Sequence, residues 1–171
     1  GVTAYHALFE AAHLRAGDVV LVQGTGGVSI FGLQLAKAAG ARVIVTSSSA
    51  AKRERARALG ADHVIDYPAD PAWGESARAW TGGRGVDIVI EVGGPGTFDQ
   101  SVAALRYRGT MSLLGVLTGL RGEVNTYGVF HKLLRIAGIY VGSVAMFEGL
   151  LRALAARRIE PIIARPFSFG E

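Results

Sequence analysis

The chain has 171 residues, 50% of them hydrophobic, with 24 glycines, no cysteine and a formal net charge of +4 at pH 7. That length suits one core, the lack of cysteine excludes disulfides and cysteine-ligated zinc within this sequence, and no apolar run reaches the about 18 residues of a membrane span. The basic residues behind the pI near 9.8 are spread over Arg15, Arg42, Arg106, Arg108 and Arg157 as well as a cluster at 52–57. They form no nucleic-acid motif, so neither nucleic acid nor a membrane is an expected partner, and the expected location is cytoplasmic.

A helix over residues 3–14 opens the chain. Residues 19–22, Val-Val-Leu-Val, read as a strand buried on both faces and lead into Gln23-Gly24-Thr25-Gly26-Gly27-Val28-Ser29. Residues 30–39 then carry apolar side chains on a helical period up to Gly40. The glycines therefore fall at a strand-to-helix corner, where a dinucleotide's phosphates bind. Gly24 permits the tight turn, Gly26 lets the backbone approach a pyrophosphate, and the helix start offers free N–H groups to anionic oxygens. Ser29 stands where the third glycine of G-x-G-x-x-G belongs, which predicts slightly looser packing of helix on strand.

The second strand, residues 42–45, ends in Thr46-Ser47-Ser48-Ser49, followed by Lys52 and Arg53. An acid at this strand end holds the ribose 2′-hydroxyl of NAD, and none is present. Hydroxyls and cations would instead accept a 2′-phosphate through charge-assisted hydrogen bonds. NADP(H) is thus favoured over NAD(H). The plainer alternative makes Ser49 a helix cap and Lys52 and Arg53 solvated surface charges.

Alternation continues to the end: a helix over 50–59, a strand over 63–67, a helix opened by Asp70 and Pro71 and running to 80, and a strand over 86–92 that meets Gly93-Gly94. A helix over 97–105, a strand over 109–114 breaking at Gly115, a helix over 127–135 and a sixth strand over 136–141 follow. A last helix, 144–157, is capped by Ser143. Strands separated by helices predict an α/β fold, a doubly wound six-stranded parallel sheet with helices on both faces and its ligand crevice at the carboxyl edge. Tyr127 and His131 are candidate proton donors, a helix packed on the sheet being the plainer reading. His6, His13, His63 and His131 lack the spacing of a ligand set. The sixth strand, apolar and at a sheet edge, predicts pairing with a second copy of the chain.

Thr3-Ala4-Tyr5, Gly24-Thr25-Gly26-Gly27-Val28 with Gln34 and Ala36, Leu59-Gly60-Ala61-Asp62-His63-Val64-Ile65, Gly85-Val86-Asp87 and Gly115-Val116 together resemble the cofactor-binding half of the medium-chain dehydrogenases and reductases. That family includes zinc-dependent alcohol dehydrogenases and zinc-free quinone oxidoreductases. The resemblance implies pyrophosphate contacts from Gly26, Gly27 and Val28, with Gly24 making the cofactor-binding turn, and 2′-phosphate contacts from Ser47, Ser48 and Lys52, with Tyr67 near the adenosine. It implies Val92 and Gly93 at the ribose, and Gly115, Val116, Leu117 and Thr3 towards the nicotinamide. Val141, Gly142 and Ser143 would lie near the nicotinamide or a dimer seam.

The resemblance also implies an amino-terminal substrate domain beyond residues 1–171, whose last strands return where the run at 167–171 stops. The residues that hold zinc in the alcohol dehydrogenases belong to that domain. The expectation is a fragment that binds NADP(H) without turnover, from an enzyme moving a hydride between nicotinamide and an alcohol, carbonyl, quinone or enone. A non-catalytic NADPH-sensing module is the alternative. A methyltransferase needs an acid after the second strand, and a short-chain dehydrogenase needs Tyr-x-x-x-Lys, where Tyr127 is followed by His131.

Overall fold

The computed structural model describes residues 1–163 and 167–170; Glu171, the end of the terminal run, lies outside them. Strands β1 (Val19–Gln23), β2 (Arg42–Thr46), β3 (His63–Ile65), β4 (Val86–Glu91), β5 (Leu105–Leu113) and β6 (Arg135–Gly138) form one sheet in the order β3-β2-β1-β4-β5-β6. Every neighbouring pair is parallel. The order reverses between β1 and β4, the position at which doubly wound sheets open a crevice.

Each central strand buries both faces, and its alternate residues serve different cores. Val20 and Val22 of β1, Val43 and Val45 of β2, and Ile88 and Ile90 of β4 pack with Ala4, Leu8, Leu33 and Leu150. Those partners lie on α1 (Val2–Tyr5), its π-helical continuation (His6–Ala11), α2 (Gly27–Ala38) and α7 (Val144–Arg157). Val19, Leu21, Ile44 and Val89 face the other way, onto Trp73 and Ala77 of α4 (Trp73–Trp80) and Phe98 and Val102 of α5 (Pro95–Ala104). Each such aliphatic side chain contributes about 1.5–3 kcal/mol by leaving water. Helix α3 (Ala50–Ala58) and the short α6 (Tyr127–His131) complete the two layers.

Several expected boundaries move, each for a local reason. Helix α2 starts at Gly27 rather than residue 30, with Gly26 as its N-cap residue. Its close packing comes from Gly32, where an added Cβ would stand 2.7 Å from Ile90 Cδ1. Ser29 therefore does not loosen the contact; its hydroxyl donates to the Gln23 carbonyl at 2.7 Å. Asp70 does not cap α4, which begins at Trp73 after Ala72 and has no side-chain cap. Helix α5 begins two residues earlier than expected, with Pro95 in its first turn. Helix α6 ends at His131, and Leu133 just beyond it turns left-handed, with φ of 53°.

Strand β3 stops at Ile65, and β6 stops at Gly138 rather than continuing to Val141. The last bond to β5 is from the Ile139 N–H to the Leu113 carbonyl at 2.9 Å; beyond it Tyr140 is 93% exposed and Val141 has φ of 52°, a left-handed conformation outside the strand range. The expected cap on α7 is present, Ser143 Oγ accepting from the Met146 N–H at 3.2 Å.

The amino edge of the sheet is fastened by Asp87. Its carboxylate accepts from the Val19 N–H at 2.8 Å, from Arg84 Nη1 at 3.0 Å and from Arg106. Burial pushes this carboxyl up, but the hydrogen bonds from Arg84, Val19 and Arg106 and the Arg84 charge outweigh burial and hold it below the usual carboxylate range.

Candidate dinucleotide-binding site

The carboxyl ends of β1, β2, β4 and β5 enclose a cleft of about 430 Å³. Residues 23–29 form one wall; Ser47, Ser48, Lys52 and Tyr67 close one end; and Val92, Leu114, Gly115 and Leu117 line the other side. Gly24 turns with φ of 69°, its N–H donating to the Thr46 carbonyl at 2.8 Å, so β1 and β2 are joined where they enter the cleft. No side chain caps α2. The first N–H groups of a helix have no partner within it, so those of α2 face the cleft together with the positive end of a twelve-residue dipole.

Whether these residues fit a dinucleotide is tested by the space above the turn. A Cβ added to Gly26 or Gly27 meets nothing within 4 Å. The backbone is thus bare on the side where a pyrophosphate would approach, and the donors there suit an anion.

At the β2 end, neighbouring residues take different tasks. Ser47 is buried and Ser48 exposed, and both line the cleft. Ser49 caps α3, its Oγ accepting from the Lys52 N–H. Lys52 is exposed on the cleft wall and makes no salt bridge among the described residues. Arg53, one position on, points behind the wall. Its guanidinium donates to the Ser47 carbonyl and pairs with Asp66, both at 2.8 Å. Arg53 therefore braces the serine loop and is not a free phosphate ligand, which narrows the expected cationic pair to Lys52.

Eleven expected contacts thus share one cleft: Gly24, Gly26, Gly27, Val28, Ser47, Ser48, Lys52, Tyr67, Val92, Gly115 and Leu117. Gly93 is buried immediately behind Val92, and Val116 lines an adjoining apolar groove of about 520 Å³ that shares Leu114 and Gly115 with the cleft. Thr3 is half-buried on α1 and does not line the cleft. Val141, Gly142 and Ser143 sit on the turn between β6 and α7 and line neither space. Their turn is tied to the opening helix, the His6 ring lying 3.1 Å from the Val141 carbonyl through Nδ1.

Tyr127 and His131 stack on each other at 5.2 Å and are not on the cleft. Among the described residues no group of three His, Asp or Glu side chains could hold a metal ion, and no helix is long and apolar enough to cross a membrane.

Two residues that the sequence pattern did not single out are built into the wall. Gln23 ends β1, and Glu91, fully buried, ends β4; Gln23 Nε2 donates to Glu91 Oε2 at 2.6 Å. An acid directly after the apolar run Ile88-Val89-Ile90 was the available signal.

A family model described as zinc-binding dehydrogenase matches residues 27–156. The chain belongs to this family. A zinc-type alcohol dehydrogenase-like protein of Schizosaccharomyces pombe is 42% identical over 99% of this chain and 51% of its own length. A solved NAD-dependent alcohol dehydrogenase superposes with a TM-score of 0.86 at 34% identity, covering 94% of this chain and 47% of that one. A mycobacterial structure complexed with NADPH gives 0.83 at 32% identity, covering 96% and 52%. The chain spans about half the length of these relatives. As a zinc-binding dehydrogenase domain its Rossmann-type fold and oxidoreductase kinship are thereby shown, whereas relatives with different nicotinamide cofactors leave that choice to its own residues.

Proposed function

We propose that the chain is the NADP(H)-binding domain of an oxidoreductase that moves a hydride between nicotinamide and an alcohol, carbonyl, quinone or enone. The observation that carries the cofactor choice is the β2 end. No carboxylate closes it, and Ser47, Ser48 and Lys52, which makes no salt bridge among the described residues, line the cleft there. A ribose 2′-phosphate placed against them gains charge-assisted hydrogen bonds, while the 2′-hydroxyl of NAD finds no acid to accept from it.

The bound cofactor supplies the redox chemistry. The chain's own part is to hold the pyrophosphate on the α2 N–H groups and to exclude water with the Val92, Leu114 and Leu117 wall. No catalytic residue is assigned within these residues, and any zinc is assigned to the remainder of the parent protein. The parent is read as a cytoplasmic enzyme with a separate substrate domain, and the isolated chain as a binder without turnover. The open edge of β6, with Ile136 39% exposed and Tyr140 beyond it, supports a homodimer formed at that edge.

The test is a calorimetric titration with NADPH and NADH at equal salt and pH, repeated on Lys52→Ala. NADPH binding tighter by about tenfold, or about 1.4 kcal/mol, and loss of that margin in the variant are expected. Tighter binding of NADH, or binding of neither, contradicts the proposal.

A further inference from the structure

We propose that Glu91 and Gln23 are positioning residues: they lock the two walls of the cleft together and hold every N–H of the β4 turn away from the ligand. The inference rests on the cofactor reading above. Glu91 Oε1 accepts from the Gly93 N–H at 2.8 Å, the Gly94 N–H at 3.0 Å and the Thr97 hydroxyl. Glu91 Oε2 accepts from Gln23 Nε2 and from the Ser101 hydroxyl. Gln23 completes the link, its Oε1 accepting from the Val92 and Gly93 N–H groups, each at 3.1 Å.

Two features set this network apart from ordinary core polarity. First, Glu91 is fully buried and belongs to no ion pair among the described residues. Removing a carboxylate from water without a cation is costly, and its five donors offset that cost only while each is in place. An aliphatic residue would fill the end of β4 with no such demand. Second, the bonds join residues 68 to 70 positions apart across the crevice, from the last residue of β1 to the last residue of β4 and the turn after it.

The consequence is a division between the walls. On the β1 side the α2 N–H groups are uncapped and face the cleft. On the β4 side the Val92, Gly93 and Gly94 N–H groups are all occupied by Gln23 and Glu91. Of the two facing walls, an anion therefore finds free backbone N–H groups on the β1 side only, and a dinucleotide is held in a single register along the cleft. Because the turn is fixed beforehand, binding need not order it, and preorganisation of this kind lowers the cost of association.

Gln23→Met keeps the side-chain volume and removes the link. It is compared with Asp87→Asn, which weakens the opposite, amino edge of the sheet. Gln23→Met is expected to weaken NADPH binding by about tenfold or more, since small misplacements of a binding wall are costly. Asp87→Asn is expected to lower the melting temperature with NADPH affinity within about twofold of the unsubstituted chain, as distant sites are independent. NADPH affinity unchanged in Gln23→Met overturns the inference and leaves the cofactor reading intact.

Should Gln23→Met fail to melt cooperatively, amide exchange in the unsubstituted chain decides. The Val92, Gly93 and Gly94 amides are expected to be protected by about a hundredfold or more without nucleotide. Exchange at free-peptide rates overturns the inference. If the chain binds neither NADPH nor NADH, the cofactor reading fails and the inference falls with it.

Discussion

At the corner after β1, a Cβ added to Gly26 or Gly27 enters empty space; at the facing corners after β4 and β5, one added to Gly93 runs into Thr97 and one added to Gly115 lands on the Val92 carbonyl. The same residue type thus serves opposite ends across one crevice. The first corner lacks side chains so that a ligand can reach the backbone, and the others lack them so that the protein can reach itself. Substitution separates the two uses, because the first should cost binding and the second should cost folding.

The largest effect is expected at Gly115. Gly115→Ala forces the β5 end away from β4 and should lower unfolding free energy by about 3 kcal/mol, at the upper end for overpacking, measured by urea denaturation. Asp87→Asn comes next, at about 2 kcal/mol, less than for a fully buried pair because Arg84 and Arg106 are partly exposed. Asp87 also sets a pH signature. Its pKa is depressed by folding, so its contribution is complete above the unfolded value of about 3.9 and is lost as pH falls through the lower folded value. Stability measured from pH 6 downwards should drop in the acid range, and Asp87→Asn should flatten that drop. A drop of equal size in the variant would place the titrating group elsewhere.

The smallest effect on folding is expected at the open corner. Gly26→Ala should cost only about 0.5 kcal/mol, the preference of an N-cap position for glycine over alanine. The methyl group then occupies the pyrophosphate's approach, so NADPH affinity should fall by about tenfold, equivalent to about 1.4 kcal/mol. A Gly26→Ala chain that loses stability yet binds normally would erase the distinction between the corners.

What was legible in the sequence was local. The apolar run at β1 shows its double-sided burial, the glycines mark the turn, and Ser143 sits where a cap is needed. Features made by distant partners were not legible. Gln23 and Glu91 are each unremarkable strand ends until the fold brings them together, and Gly32 acquires its role only when Ile90 lies against it. Tyr140 and Val141 have the side chains of a strand, yet Gly142 packs against Val2 and the His6 ring meets the Val141 carbonyl, so the chain turns away at Gly138. Lys52 and Arg53 differ by one position, and adjacent helical residues point to different sides; only Asp66, thirteen positions further on, shows which one braces the loop.

The most direct test of the cofactor assignment is a residue-by-residue map of backbone amide shifts in the chain saturated with NADPH and then with NADH. Both should perturb Gly26, Gly27 and Val28, and the difference between them should be confined to Ser47, Ser48, Lys52 and Tyr67. Perturbations centred away from the β1 corner, or no difference between the two at the β2 end, would contradict the account.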